Sequence, residues 1–114
     1  MIMERYSYDE VIESVEEDFQ SSFKLGDDHV AATMRLLGDF YREIIQSSPI
    51  EKLMFHVAIF LYLDANGFSV DYLESALSSV LEEIPLTSFE SDLDEGEYER
   101  LRNDINKAQS LIAI

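Results

Sequence analysis

The sequence predicts an all-α protein, a single compact bundle of about five helices formed by one domain over residues 1–114. Three observations lead there. Apolar residues recur at intervals of three and four along five stretches, capping residues punctuate those stretches, and no stretch reads as a convincing strand. A chain of 114 residues, 46% of them hydrophobic, can also bury a core without a metal or disulfide staple.

Ser7 with Glu10 three residues on is a capping-box signature, and Tyr8, Val11, Ile12, Val15 and Phe19 follow at helical spacing. They predict a first helix from about Tyr8 to Ser22, with Asp9, Glu10, Glu13, Glu16 and Glu17 on its outer arc. KLGDD, 24–28, reads as a turn in which Asp27 or Asp28 caps the next helix. Val30, Met34, Leu37, Tyr41, Ile44 and Ile45 then make the stripe expected to face the core as far as about Gln46. Leu36 and Phe40 widen it, so this helix is expected to meet more than one neighbour.

SPIE, 48–51, starts the third helix: Ser48 as N-cap, Pro49 at the first helical position, Glu51 completing a capping box. The segment LMFHVAIFLYL, 53–63, is apolar nearly all round and so belongs at the centre of the bundle. Asn66 and Gly67 suit the left-handed conformation that ends helices, and Ser69 is placed to cap the next. Val70, Leu73, Leu77, Val80, Leu81 and Ile84 form the stripe of a fourth helix, which Pro85 stops. After the longest connection, 85–95, Tyr98, Leu101, Ile105, Ala108 and Ile112 describe a fifth.

Twenty-four acidic residues against eight basic ones give a net charge of −16, which disfavours nucleic acids and anionic membranes as direct partners. Residues 1–28 carry −7, 29–66 carry −1 and 67–114 carry −8, so both ends are acidic around a nearly neutral middle. The absence of cysteine excludes disulfide and thiol chemistry and fits a reducing compartment, so the cytoplasm is expected. MIMERYSYDE does not read as a secretory signal, and the 53–63 run is far short of the roughly 20 residues that span a bilayer.

Motifs for chemistry are lacking. DANG, 64–67, resembles the middle of a calcium-binding EF-hand loop, but with Gly67 in the sixth position the first and twelfth fall on Tyr62 and Leu73. Neither supplies a carboxylate. His29 and His56 stand at no zinc or di-iron spacing, so they read as a first-turn polar residue and a partly buried core histidine. No nucleophile elbow, dinucleotide fingerprint or phosphate loop occurs, and the expectation is a protein that is not an enzyme and uses no cofactor or metal.

The densest charge is in SFESDLDEGEYE, 88–99, with six carboxylates and no base. With Asp92 in the first position of a calcium loop, Gly96 falls fifth instead of sixth and Asn103 twelfth. SDL, 91–93, reverses the Asp-Ser order that carries the prosthetic arm of acyl carrier proteins. Glu95, Glu97 and Glu99 suit a helix N-terminus, whereas Glu90, Asp92 and Asp94 have no such local reason. Beside Phe89, those three are the first candidates for contact with a basic partner; Glu95 and Glu97, together with Glu13, Glu16 and Glu17 of the first helix, complete the candidate surface.

Small, acidic, cysteine-free and helical, the chain resembles bacterial toxin-immunity proteins, including those of colicins and contact-dependent growth inhibition systems. The resemblance implies an inhibitor that covers the basic cleft of a nuclease toxin domain with carboxylates and is monomeric when free. The Ile-Tyr-Tyr-Pro segment of the helical colicin DNase immunity proteins is absent, which implies a different binding surface. The competing expectation is an acidic adaptor, regulator or nucleic-acid mimic that docks on a basic protein.

Overall fold

A helix that is apolar on every side must be surrounded, and residues 53–60 are all buried. A computed structural model describes residues 6–43 and 49–112. Its five helices are α1 (Tyr8–Lys24), α2 (His29–Glu43), α3 (Pro49–Ala65), α4 (Glu74–Glu83) and α5 (Glu95–Leu111). Short 3-10 turns occupy Asp71–Leu73 and Leu86–Phe89, and no strand occurs among the described residues. The fold is an all-α bundle. Helices α1, α4 and α5 pack on α3, while α2 packs on α1. Its shortest dimension, 22 Å, equals about two helix diameters, so the bundle is two layers thick.

Local chemistry explains the helix ends. Ser7 accepts from the Glu10 amide while the Glu10 carboxylate accepts from the Ser7 amide, the reciprocal box expected of that sequence. The hydrogen bond from the Ser7 amide to the Glu10 carboxylate, and then one from the Ser7 side chain, hold the exposed Glu10 carboxyl below its ordinary pKa. Asp28 caps α2 by accepting from the Ala31 amide at 2.8 Å. Two helices stop in the same way. Past α1, the amides of Gly26 and Asp27 donate to the carbonyls of Phe23 and Ser22; past α3, those of Gly67 and Phe68 donate to Asp64 and Leu63. These are Schellman motifs, and they place Gly26 at φ 94° and Gly67 at φ 79°, where a side chain would be strained.

Three expectations need correction or fall elsewhere. Ser69 is not a strong cap: the Asp71 amide lies 3.5 Å from its hydroxyl, and α4 is entered through the 3-10 turn with no side-chain cap. Ser48, Ile44, Ile45 and Gln46 lie outside the described residues. The third concerns α2. Its core side is Ala32, Thr33, Leu36 and Phe40, whereas Val30, Met34 and Tyr41 of the expected core stripe are exposed and Leu37 is half-buried.

The α2 reversal has a packing reason. Ala32 and Thr33 are small enough to be fully enclosed, and Thr33 meets its polar demand locally, donating to the His29 carbonyl at 2.7 Å and lying 3.2 Å from the Tyr72 hydroxyl. Phe40 then reaches Phe55 of α3, ring centroids 4.0 Å apart. At the other end of the bundle Phe19 stacks on Tyr62, and a run of ring contacts continues through Phe23 and Phe68 to His29. His29, the first residue of α2, is thus built into an aromatic row.

Candidate functional site

The first turns of α1 and α5 meet, although nearly ninety residues separate them. Each helix start has backbone amides without a partner in its own helix and carries partial positive charge. The chain answers with carboxylates. Asp94 caps α5 by accepting from the Glu97 amide at 2.7 Å. Glu97 reaches across and accepts from the Tyr8 amide at 2.8 Å, so a side chain of α5 caps α1. The Tyr8 hydroxyl returns to α5 and donates to Asp104 Oδ2 at 2.6 Å. Burial first, and then the Asp104 hydrogen bond, push the Tyr8 phenol far above its ordinary pKa, so it remains a donor.

Arg100 completes this junction. Its guanidinium pairs with Asp9 and lies 5.9 Å from the Tyr8 ring centroid. Ser7, Tyr8, Asp9, Asp94, Gly96, Glu97 and Arg100 line a cleft of about 260 Å³ between the two helix starts. Three carboxylates and one guanidinium leave its rim acidic.

The candidate residues divide by what they do in the fold. Asp94 and Glu97 both cap helices, so Asp94 has the local reason that its sequence neighbourhood did not suggest. Phe89 is half-buried and packs against the core, ending the 3-10 turn. Beside it Leu93 is buried and pins the acidic connection to the bundle. Glu90, Asp92 and Glu95 are exposed around that anchor. On α1, Glu13, Glu16 and Glu17 are exposed as well. Glu13 and Glu17 stand one and two turns beyond Asp9, continuing the acidic row away from the junction. Glu16 sits further round the helix, where it accepts from Gln20 Nε2 at 3.4 Å and its charge adds to burial in raising the Tyr62 pKa.

Sequence reasoning missed Leu93, Arg100, Tyr8 and Asp104 as the parts that hold this surface. Leu93 had a signal, a lone aliphatic residue among acids. The pairing of Tyr8 with Glu97 and Asp104 had none, because periodicity carries no information about contacts so distant in the chain.

Among the described residues no group of three or more His, Asp or Glu side chains is placed to hold a metal ion. His56 is buried on α3 and shares a hydrogen bond with the Tyr41 hydroxyl at 3.1 Å. Burial, and then the Lys52 charge, hold its pKa down at about 4. No described helix is long and apolar enough to cross a membrane. Comparison with known families, with characterised proteins and with solved structures finds no match to the chain.

Because Asp94 is a cap, Asp94→Ala is expected to cost about 1 kcal/mol of stability in urea denaturation. Asp94→Asn retains a capping oxygen and is expected to restore most of that loss. A stability unchanged in Asp94→Ala would show that the cap contributes nothing.

Proposed function

We propose that this chain is an immunity protein: a nonenzymatic inhibitor, acting in the cytoplasm, that neutralises a basic toxin domain, in the first instance a nuclease. The observation that supports this reading best is the junction of α1 and α5. It brings the starts of two acidic helices from opposite ends of the chain together, with Glu95 exposed at the junction, Glu90 exposed on the connection that leads to it, and Glu13 and Glu17 exposed further along α1. Carboxylates on a rigid helical frame can lie where the phosphates of a nucleic acid would meet a basic cleft. A net charge of −16 also draws a basic partner from a distance, speeding association by about 10- to 1000-fold at low salt.

The surface is ordered by its own fold. Asp94 and Glu97 are fixed as caps, Leu93 and Phe89 anchor the connection, and only the outer carboxylates remain to be desolvated on contact. An inhibitor with such a frame loses little conformational entropy on binding.

Copurification from the native host followed by mass spectrometry identifies the partner, and a nuclease assay on that partner tests the reaction. The expected result is a basic domain whose nuclease activity disappears when the chain is bound. Association is expected to slow steeply as salt rises. Glu90→Lys with Glu95→Lys is expected to slow capture about tenfold at low salt, more than Glu13→Lys with Glu17→Lys. A partner whose activity survives binding points instead to an adaptor. Equal slowing by the two double variants would mean that total charge, not this surface, governs capture.

A further inference from the structure

The acidic reading leaves one exposed face unused, the outer side of α2, where of the apolar stripe only Leu37 also packs against the core. Val30 is 41% exposed, Met34 56% and Tyr41 41%, with Leu37 half-buried between them. Scattered apolar residues are ordinary on a surface, but these four follow one another at intervals of four, three and four residues. That spacing sets them in a narrow line along the helix, the seam by which helices pair in coiled coils. The stripe is also held in place. Tyr41 is tied to His56 at 3.1 Å, and at the other end Tyr72, itself 37% exposed, is 3.2 Å from the Thr33 hydroxyl.

Charge selects the occupant. Arg35 and Arg42 cancel Asp39 and Glu43, so α2 is the one helix of the five with no net charge in a chain of −16. A basic partner drawn by carboxylates gains nothing there. Two copies of so acidic a chain repel across most of their surfaces, and a neutral apolar face is where that repulsion is least.

We propose that α2 pairs with α2 of a second copy of this chain, antiparallel about a two-fold axis. The stripe is self-complementary in that register. Val30 meets Tyr41 of the second copy and Met34 meets its Leu37, and the two-fold repeats both layers, giving four from described residues. Antiparallel helices also oppose their dipoles. Along one flank Ala31 and Gly38 stand seven residues apart; a Cβ on Gly38 would meet only Arg42 of its own chain, at 3.9 Å. The second backbone can therefore come close. This departs from the free monomer that the resemblance implies, and it is independent of what the acidic surface binds.

Sedimentation of the full chain over a range of concentrations tests the pairing. Between about 0.05 and about 0.5 M salt the dimer fraction is expected to rise, because screening removes self-repulsion. That is the opposite sign to capture of a basic partner. Met34→Glu, at an exposed position, is expected to keep the helical circular dichroism while raising the dimer dissociation constant at least ~tenfold. Since the chain has no cysteine, Met34→Cys mixed with Leu37→Cys is expected to crosslink the two variants faster than Met34→Cys links to itself. A chain that stays monomeric at high salt overturns the proposal, as does a dimer indifferent to Met34→Glu or a preference for the Met34→Cys self-link.

Discussion

Lowering the pH from 7 to 4 is expected to remove about 3 kcal/mol of the wild-type chain's stability relative to a His56→Gln variant. His56 is only 7% exposed, and burial together with Lys52 moves its pKa from 6.5 to about 4. The unfolded chain takes up a proton at this residue from pH 6.5 downward, whereas the folded chain does so only near pH 4. Stability is therefore complete above 6.5 and falls between 6.5 and about 4, by roughly 1.4 kcal/mol per pH unit. Carboxylates act in the opposite direction in the lower part of that interval, because their protonation relieves the repulsion of a −16 chain. The comparison with His56→Gln removes that shared effect and keeps a neutral polar group beside Tyr41. Urea denaturation of both proteins at pH 7, 5.5 and 4 gives the difference directly. A difference that does not change with pH would mean that the folded chain accepts the proton on His56 as readily as the unfolded one.

Tyr8→Ala is expected to destabilise the protein by about 3–5 kcal/mol, and Tyr8→Phe by about 1–3 kcal/mol. The ring is 1% exposed in the core, so its loss leaves a cavity. Removing only the hydroxyl leaves the partly buried Asp104 carboxylate without its donor. Against a total of about 5–15 kcal/mol for a domain, the alanine variant gives up a large part of the margin. Denaturant unfolding of the pair checks the division: equal losses would assign the whole effect to the hydroxyl. Tyr8→Ala is also expected to weaken partner capture without removing a single carboxylate, since it loosens the α5 start against α1.

Several helix ends were readable because capping chemistry is local, although Ser69 fails as the cap expected of it and the local cap at Asp94 was overlooked. Ser7 with Glu10, Asp28, Gly26 and Gly67 act within a few residues of themselves, and each stands where its sequence neighbours imply. The buried face of α2 was not readable, because two apolar lines run along that helix. Hydropathy favours the line through Val30, Met34 and Tyr41; the fold uses Ala32, Thr33, Leu36 and Phe40, whose sizes fit the space beside α1 and α3. Periodicity weighs hydrophobicity and cannot weigh fit. In the acidic segment the same limit applies. Glu97 reads as a residue of its own helix start, yet the amide it caps belongs to Tyr8.

That cap also bears on how the protein is made. During synthesis α1, α2 and α3 can associate as they emerge, since their contacts are comparatively close in sequence. The amide and the hydroxyl of Tyr8 have no partners until Glu97 and Asp104 have been added, 89 and 96 residues later. Closing a loop of that length is entropically costly and late. The joined acidic end therefore forms only once α5 has been made, and a nascent chain without α5 carries the first acidic stretch but not the junction.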